Sequence, residues 1–451
     1  MRALNLLAKP FVVFVERYYP DPFVFVILLT LATFGICFAL ADATPTEALV
    51  AWGNGLPALL SFMAQISLTL ITAHAFAHTD LVQNGLKAIG RLPQTPSQGY
   101  FLVAFSAGIA SLFAWSLGLI AGALVAQQVA LQAQKRGVRM HYPLLVASAY
   151  SGFVVWHMGY SSSAALFVAT PGHRMEAAVG IIPVTETIFS SWNIAIAVVT
   201  LFAYSFTCML MRPQEKDVME VSSDTLQHMV EDDSAEREKK GASMPAEKLE
   251  QSRVVSLLLA LVLIGFLIHW FATQGLNLNL NIVNWSFLGL GLLLARSPLH
   301  YIGLIANASK TVAPVLIQYP FYAGIMGLMA DTGMVSVISQ WFTDFSTSQT
   351  LPFWAFISGG LVNLFVPSGG GQWAVQGPIF IEAANQLQVD PALIVMGVAY
   401  GDQWTNMIQP FWTIPLLAIA GLHMRQIMGY TFVIFLVTAI TFGGGLLIIS
   451  S

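Results

Sequence analysis

Residues 363–378 read NLFVPSGGGQWAVQGP and interrupt an apolar stretch that runs from 353 to 384. Pro367 prevents a continuous helix, and the three glycines from Gly369 to Gly371 leave backbone amides uncovered. A helix that restarts near Gln372 would direct its positive N-terminal end at this tip, where an anion could bind. The alternative is an ordinary tight turn at the membrane surface. A nucleotide-binding loop is excluded, because no Gly-Lys-Ser or Gly-Lys-Thr follows the glycines.

The surrounding chain is far too apolar for a water-soluble domain. Of its 451 residues, 56% are hydrophobic and 9% are charged, against about 25% charged residues in soluble domains. Of the 42 Asp, Glu, Lys and Arg residues, 18 fall between Arg212 and Arg253. This contrast predicts a solvated linker at 212–253 between two membrane halves, 1–211 and 254–451. The lipid bilayer is therefore a predicted partner, and the scattered basic residues exclude nucleic acid.

Membrane spans are predicted from the length of the apolar stretches, since a bilayer core of about 30 Å needs about 20 residues of helix. Simple spans are predicted at 23–41, 57–76, 187–211, 254–273, 281–296, 311–330 and 429–449. Four further apolar stretches are interrupted near their middle by Gly, Pro, Ser or Asn: 99–134, 143–171, 353–384 and 392–422. These interrupted stretches decide the topology.

Basic residues mark the cytoplasmic side of a membrane protein. Suppose that 143–171 and 392–422 each cross once as broken spans, while 99–134 and 353–384 are re-entrant hairpins. Then 18 of the 19 Lys and Arg residues lie inside, and only Arg174 lies outside. The predicted fold is an all-α polytopic membrane protein with about nine spans and two re-entrant helical hairpins. Its N-terminus is cytoplasmic, its C-terminus is periplasmic, and the hairpins enter from opposite faces.

An internal match supports two repeats of inverted topology. A shift of 252 positions lays residues 111–118 (SLFAWSLG) on residues 363–370 (NLFVPSGG), and a shift of 250 lays Ala149-Tyr150 on Ala399-Tyr400. Transporters built from inverted repeats bind solute where broken helices of the two repeats meet. Irregular backbone at membrane depth is tolerated only where it is buried in protein or lines a cavity. The four interruptions are therefore predicted to meet at one site.

Asp402 is the carboxylate predicted near the middle of an apolar stretch, where an ionised group is costly and usually functional. It could hold a cation or take a proton, and Gln403 and Asn406 are close enough in a broken helix to add oxygen ligands. The alternative is a carboxylate capped by neighbouring amides at a helix break. In the first half, Ser161 to Ser163 could supply hydroxyl contacts or only bond between helices. His157 is interpreted as a satisfied polar residue more readily than as a proton relay.

The chain resembles the short-chain fatty acid transporter family of bacterial inner membranes. The resemblance is carried by residues 363–378, by 399–412 (AYGDQWTNMIQPFW) and by 169–172 (ATPG), and it covers nearly the whole chain. It implies uptake of short-chain monocarboxylates such as butyrate or acetoacetate, with a transport subdomain that moves against a scaffold, and we expect this uptake to be coupled to a cation. A homodimer is suggested by the wider ion-transporter superfamily. The chain departs from the family pattern at His157-Met158, Gln372 and Asp402.

These observations give two sets of candidate site residues. The substrate-binding candidates are Ser116, Ser161, Ser162, Ser163, Ser368, Gly369, Gly370, Gly371, Gln372 and Trp404. The coupling-ion candidates are Asn363, Asp402, Gln403 and Asn406. Either Na+, held at Asp402 and Asn406, or H+ fits as the coupling ion, and no cofactor is expected. A carrier of another small carboxylate or amino-acid-like anion and a channel remain alternatives. An enzyme is not expected, because the sequence shows no set of catalytic residues at usable spacing.

Overall fold

The structure is a computed structural model that describes residues 22–221, 244–275, 277–309, 312–363 and 369–451. Over these residues all regular structure is helical, which confirms the predicted all-α class. Up to residue 221 the α-helices are α1 (Pro22–Leu40), α2 (Pro45–Gly55), α3 (Leu60–Ala77), α4 (Asp80–Ile89), α5 (Pro96–Phe113), α6 (Trp115–Lys135), α7 (Tyr142–Ser151), α8 (Ser163–Ala169), α9 (Glu176–Val179) and α10 (Ser191–Leu210).

From residue 244 onward the α-helices are α11 (Pro245–Glu250), α12 (Arg253–Gln274), α13 (Leu280–Leu294), α14 (Pro298–Ser309), α15 (Ala313–Asp331), α16 (Met334–Phe345), α17 (Leu351–Asn363), α18 (Gly369–Leu387), α19 (Pro391–Thr405), α20 (Pro410–Ala420) and α21 (Met424–Ile449). Short 3-10 helices cover Leu56–Leu59, Gly152–Met158, Glu215–Asp217 and Asn406–Ile408.

Several described helices are long and apolar enough to cross a membrane by length and composition. They are Pro45–Ala77, Leu117–Lys135, Ser191–Leu210, Arg253–Gln274 and Met424–Ile449. Helices lie at every stretch predicted as a simple span, and α2, α4, α14 and α16 are additions that the sequence analysis did not predict. On α12, Leu258, Val262 and Ile268 are exposed. Such residues are stable on this surface because lipid, not water, surrounds them.

The stretch 99–134 forms a helical hairpin. Helices α5 and α6 meet at Ala114, whose backbone is extended (φ −155°, ψ 134°). A β-carbon added at Gly99 would lie 3.1 Å from the Val129 side chain, and one added at Gly118 would lie 1.8 Å from the Ser111 hydroxyl. The two arms therefore run antiparallel from the tip to the open end.

The stretch 353–384 has the same arrangement on either side of residues 364–368, which lie outside the described residues. Gln372 Nε2 of α18 donates to Gly359 O of α17 at 2.6 Å, and Gln376 Nε2 donates to Ser358 Oγ at 2.8 Å. As the chain advances along α18 its partners move back along α17. The two arms of this second hairpin are therefore also antiparallel.

Each hairpin is followed by an interrupted helix. In 143–171, α7 passes into 3-10 helix, the chain turns through Gly159 to Ser162, and α8 begins. In 392–422, α19 passes into 3-10 helix, and Gln409 breaks the path before α20 (φ −93°, ψ 131°). Both interruptions leave backbone groups without the i to i−4 hydrogen bonds of a regular helix.

The first arm of each hairpin crosses the interrupted helix that follows it at a pair of glycines. A β-carbon added at Gly152 would lie 2.5 Å from the backbone nitrogen of Gly108, and one added at Gly401 would lie 2.5 Å from that of Gly360. Only glycine permits such a close approach of two backbones. Gly108 and Gly360 are 252 positions apart, the same shift that aligns the two hairpin tips.

The first residues of the 212–253 stretch dock on the start of α7. Met219 N–H donates to His141 Nδ1 at 2.9 Å, and Tyr142 N–H donates to Met219 O at 2.8 Å. Arg139 and Glu220 form an exposed ion pair at 2.7 Å. The beginning of this charged stretch is therefore held against the protein, and residues 222–243 lie outside the described residues.

Candidate functional site

The two interrupted helices meet at a buried histidine and aspartate. His157 Nδ1 lies 2.9 Å from Asp402 Oδ2, and both side chains are 1% exposed. His157 N–H also donates to Gln403 Oε1 at 2.9 Å. Asp402 and Gln403, both predicted site residues, thus contact the first interruption directly.

The hydrogen bonds of His157 determine its tautomer. Ala164 N–H donates to His157 Nε2 at 3.1 Å, and Ser163 Oγ lies 3.2 Å from the same nitrogen. A nitrogen that accepts a backbone amide hydrogen carries no hydrogen of its own, so in the neutral ring the hydrogen is on Nδ1. His157 therefore donates through Nδ1 to the carboxylate of Asp402.

The second hairpin joins this site through Asn363 at the end of α17. Its Nδ2 lies 2.6 Å from Asp402 O, 2.7 Å from Asn406 Oδ1 and 2.9 Å from Thr405 Oγ1. An amide nitrogen has two hydrogens and cannot satisfy three acceptors fully. Three oxygens of the second interruption therefore surround the Asn363 amide nitrogen, which fixes this arm of the hairpin against the interruption. Gln409 Nε2 donates to Asn363 O and ties the same arm to the interruption.

The N-terminus of α18 lies against the first interruption. A β-carbon added at Gly369 would lie 2.5 Å from His157 Cε1 and 2.7 Å from Ser163 Oγ. One added at Gly370 would lie 2.6 Å from the Phe62 ring. The first amides of a helix have no partner within that helix and carry its positive end. Bare backbone suited to an anion therefore faces Ser163 and His157.

Several buried polar atoms at this junction have no hydrogen-bond partner among the described residues. Buried polar groups are nearly always paired in folded proteins, so such atoms indicate a place for a ligand, an ion or water. The oxygens are Asn363 Oδ1, Gln372 Oε1, Asp402 Oδ1 and Gln409 Oε1, and the donors are Ser162 Oγ, Gln403 Nε2 and Asn406 Nδ2. Oxygens suit a cation and donors suit a carboxylate, so the junction offers both kinds of contact.

Two tyrosines from the internal sequence match each contact the other half. Tyr150 OH donates to Asn406 O at 2.5 Å, in the second interruption. Tyr400 OH donates to Asn193 Oδ1 at 2.7 Å, and Asn193 Nδ2 donates to Met158 O at 3.1 Å, in the first interruption. These exchanged contacts hold the two interruptions together.

Other predicted residues have different surroundings. Ser161 Oγ accepts the Trp115 N–H at 3.1 Å, so this hydroxyl holds the tip of the first hairpin. Trp404 Nε1 donates to Phe435 O at 2.8 Å, and its ring stacks on the Phe435 ring with centroids 4.3 Å apart. Trp404 is therefore engaged with α21. Ser368 lies outside the described residues, and for Ser116 only the backbone is described, in the first turn of α6.

The sequence analysis did not predict the pairing of His157 with Asp402. The sequence contained a signal for this pairing. One interrupted stretch carries His157 near its middle and the other carries Asp402, and the interruptions were predicted to meet. Tyr150 was also missed as a site residue, although the match of Ala149-Tyr150 with Ala399-Tyr400 had marked it. Thr405 and Gln409 were not selected from the stretch 399–412.

The sequence was compared with known families and proteins. A family profile described as "Short chain fatty acid transporter" matches residues 3–449. A protein of Escherichia coli (strain K12) named "Putative short-chain fatty acid transporter" is 41% identical over 436 residues, which cover 97% of this chain and 96% of that protein. A Haemophilus influenzae protein of the same name is 36% identical over 440 residues, 96% of this chain and 97% of that one.

Two solved structures share the fold. MtrF of Neisseria gonorrhoeae, described in connection with antimetabolite efflux pumps, matches with a TM-score of 0.59 over 98% of this chain and 97% of its own, at 14% identity. The YdaH transporter of Alcanivorax borkumensis matches with a TM-score of 0.56 over 96% of this chain and 98% of its own, at 13% identity. At these identities the likeness concerns the fold alone.

Proposed function

We propose, because this chain belongs to the short-chain fatty acid transporter family, that it is a secondary active carrier for small monocarboxylates such as butyrate or acetoacetate. Uptake is coupled to Na+ or H+ and proceeds by alternating access. The observation that carries the proposal is the junction of His157, Ser163, Gly369 and Asp402, where bare helix backbone lies beside a buried carboxylate.

The substrate carboxylate binds at the start of α18. The backbone amides of Gly369 and Gly370 and the unpaired hydroxyl of Ser162 are the groups proposed to bind it, with Ser163 beside them. Backbone amides at a helix N-terminus stabilise one negative charge without a basic side chain. No Lys or Arg contributes to the described contacts of this junction, which favours a monocarboxylate over a dicarboxylate. Phe62, in contact with Gly370, offers an apolar wall for the short alkyl chain.

The coupling cation binds at the second interruption. If the ion is Na+, Asp402 and Asn406 are the first ligands, and the unpaired oxygens Asp402 Oδ1, Asn363 Oδ1 and Gln409 Oε1 offer further contacts. If the ion is H+, Asp402 Oδ1 takes the proton, since Oδ2 already accepts from His157. In both cases the added positive charge offsets the negative charge of Asp402 and favours binding of the substrate anion beside it.

The proposed architecture is two inverted repeats in the bacterial inner membrane, with the N-terminus in the cytoplasm and the C-terminus in the periplasm. The glycine crossings at Gly152 and Gly401, related by nearly the same shift as the hairpin tips, support the repeat. The hairpins 99–134 and 353–384 enter from opposite faces without crossing. A transport subdomain that carries the site moves against a scaffold, and a homodimer is the proposed assembly.

Uptake of radiolabelled butyrate into proteoliposomes tests this function. A Na+ gradient and a pH gradient are imposed separately, and counterflow is measured with unlabelled butyrate inside. We expect saturable uptake under one gradient, counterflow, and chemically unaltered label by mass analysis. Absence of uptake under both gradients would refute the proposal, and non-saturable flux without counterflow would indicate a channel instead.

A further inference from the structure

A small polar cavity lies next to the candidate site, on the far side of Phe62. It has a volume of about 90 Å³, and its lining includes Phe62 and Gln65 of α3, Phe167 of α8, and the loop residues His173 and Arg174. Arg174 is exposed, so the cavity reaches the protein surface there. Arg174 is also the basic residue that the charge pattern predicts to lie on the periplasmic side of the membrane.

Phe62 lies between this cavity and the start of α18, and Phe167, also in the cavity wall, packs against Phe62. The rings of Phe62 and Phe167 pack edge to face, with centroids 4.9 Å apart and an interplanar angle of 86°. Phe62 is in direct contact with Gly370 on the other side. A shift of one ring would therefore join the cavity to the proposed carboxylate site.

Arg174 supplies a positive charge at the rim of this cavity. Within the part of the chain that the structure describes, no carboxylate forms an ion pair with Arg174. Glu176 is the nearest acidic residue along the chain, and its carboxylate accepts the N–H of Gly172, another lining residue, at 2.5 Å. The rim therefore carries one positive and one negative side chain. A guanidinium near a passing carboxylate raises the local concentration of the anion.

We infer that this cavity is an outer subsite for the substrate anion, in which Arg174 receives the carboxylate before the Phe62–Phe167 pair admits it. The inference rests on the proposed function and deepens it, because it names the route by which the anion reaches α18. A cavity of this volume holds one small organic anion.

The test replaces the charge at residue 174 and then restores it chemically. Arg174→Cys is reconstituted, and uptake of radiolabelled butyrate is measured before and after an impermeant methanethiosulfonate reagent is added outside. One reagent carries a trimethylammonium group and the other a sulfonate group. The native Cys37 and Cys208 are both buried, so reagent-treated wild type is a suitable control.

We expect Arg174→Cys to raise the butyrate KM about fivefold at low ionic strength with an unchanged maximal rate, because a nearby charge in water contributes about 1 kcal/mol. The cationic reagent should restore the wild-type KM, and the anionic reagent should raise it further. Glu176→Gln, which removes the opposite charge at the same rim, should lower KM. High salt should reduce all of these differences.

Equal KM values for wild type and Arg174→Cys, or equal effects of the two reagents, would overturn the subsite while leaving butyrate transport intact. Absence of butyrate uptake by the wild type would refute the proposed function, and the subsite with it. The two failures are therefore distinguishable in one experiment.

Discussion

The two interruptions share a backbone arrangement but differ in chemistry. In the first, around His157 to Ser163, most polar groups are engaged: Tyr160 N–H donates to Leu112 O at 2.6 Å, and Ser161 accepts from the tip of the first hairpin. In the second, Asp402 Oδ1 and neighbouring amide atoms have no partner among the described residues. The comparison teaches that one half mainly supports the site and adds the unpaired Ser162 Oγ, while the other half supplies most of the groups that remain available to a ligand.

The largest stability effect is expected at the glycine crossings that the two halves share. Gly401→Ala would place a β-carbon 2.2 Å from Phe356 O, and Gly152→Ala would place one 2.5 Å from Gly108 N. Each should destabilise the protein by about 2 kcal/mol, the usual cost of overpacking. Thermal unfolding in detergent measures this, with Gly444→Ala as the control because nothing lies within 4 Å of its added carbon.

A destabilisation confined to one of the two crossings would contradict the equivalence of the halves. A comparable loss at both would support a duplicated backbone arrangement at the site.

The support role of the first interruption is tested at His157. Asn at this position retains an N–H near the place of Nδ1, whereas Gln places its amide near Nε2. Asp402 should therefore keep its donor in His157→Asn and lose it in His157→Gln. We expect the Na+ or H+ concentration for half-maximal butyrate uptake to rise about tenfold in His157→Gln, as for other groups that orient an ion ligand.

His157→Asn should remain within about twofold of the wild type, since the donor is conserved. Equal losses in the two variants would show that His157 serves packing alone and does not act through Asp402. The same variants should leave the KM for butyrate less affected than the ion dependence.

The smallest effect is expected at the end of the first half, where the stretch after α10 docks on His141. Burial lowers the pKa of His141, and neighbouring Asp217 opposes this shift. Met219 N–H occupies Nδ1, so the docked state requires a neutral ring. The contact is thus fully formed above about pH 6.5, the ordinary value for histidine, and weakens as pH falls through the lowered pKa.

Hydrogen exchange at the amides of Met219 and Tyr142 measures this release after correction for the intrinsic pH dependence. We expect a loss of about 0.5–1 kcal/mol of protection on acidification. In His141→Asn the amide oxygen lies near the place of Nδ1 and still accepts, so the pH dependence should disappear. Persistence of that dependence in the variant would assign it to another group, such as Glu220 or Asp217.

The all-α class and the positions of the apolar helices follow from the sequence, because apolar length is a strong signal in a membrane protein. The interruptions near Gly159 and Gln409 were found since Gly, Pro and Asn break helices by known physical effects. Asp402 stood out because a carboxylate is rare in an apolar stretch.

The pairing of His157 with Asp402 could not be derived, since 245 positions separate them and hydrogen bonds between distant segments depend on packing that periodicity does not encode. The same reason explains why Phe62 and Tyr150 were missed. Ser161 and Trp404 have the residue types that a binding site uses, yet their hydrogen bonds are made to the protein itself. The roles assigned to Ser116, Ser368 and Gln372 stay predictions.

The central claim is that the second interruption binds the coupling ion at Asp402, next to the substrate. Asp402→Asn keeps the volume and the hydrogen-bond acceptor but removes the charge. In proteoliposomes we expect this variant to exchange labelled for unlabelled butyrate while gradient-driven accumulation falls to the level of protein-free liposomes, whereas the wild type does both. Accumulation by Asp402→Asn with the gradient dependence of the wild type would contradict the account.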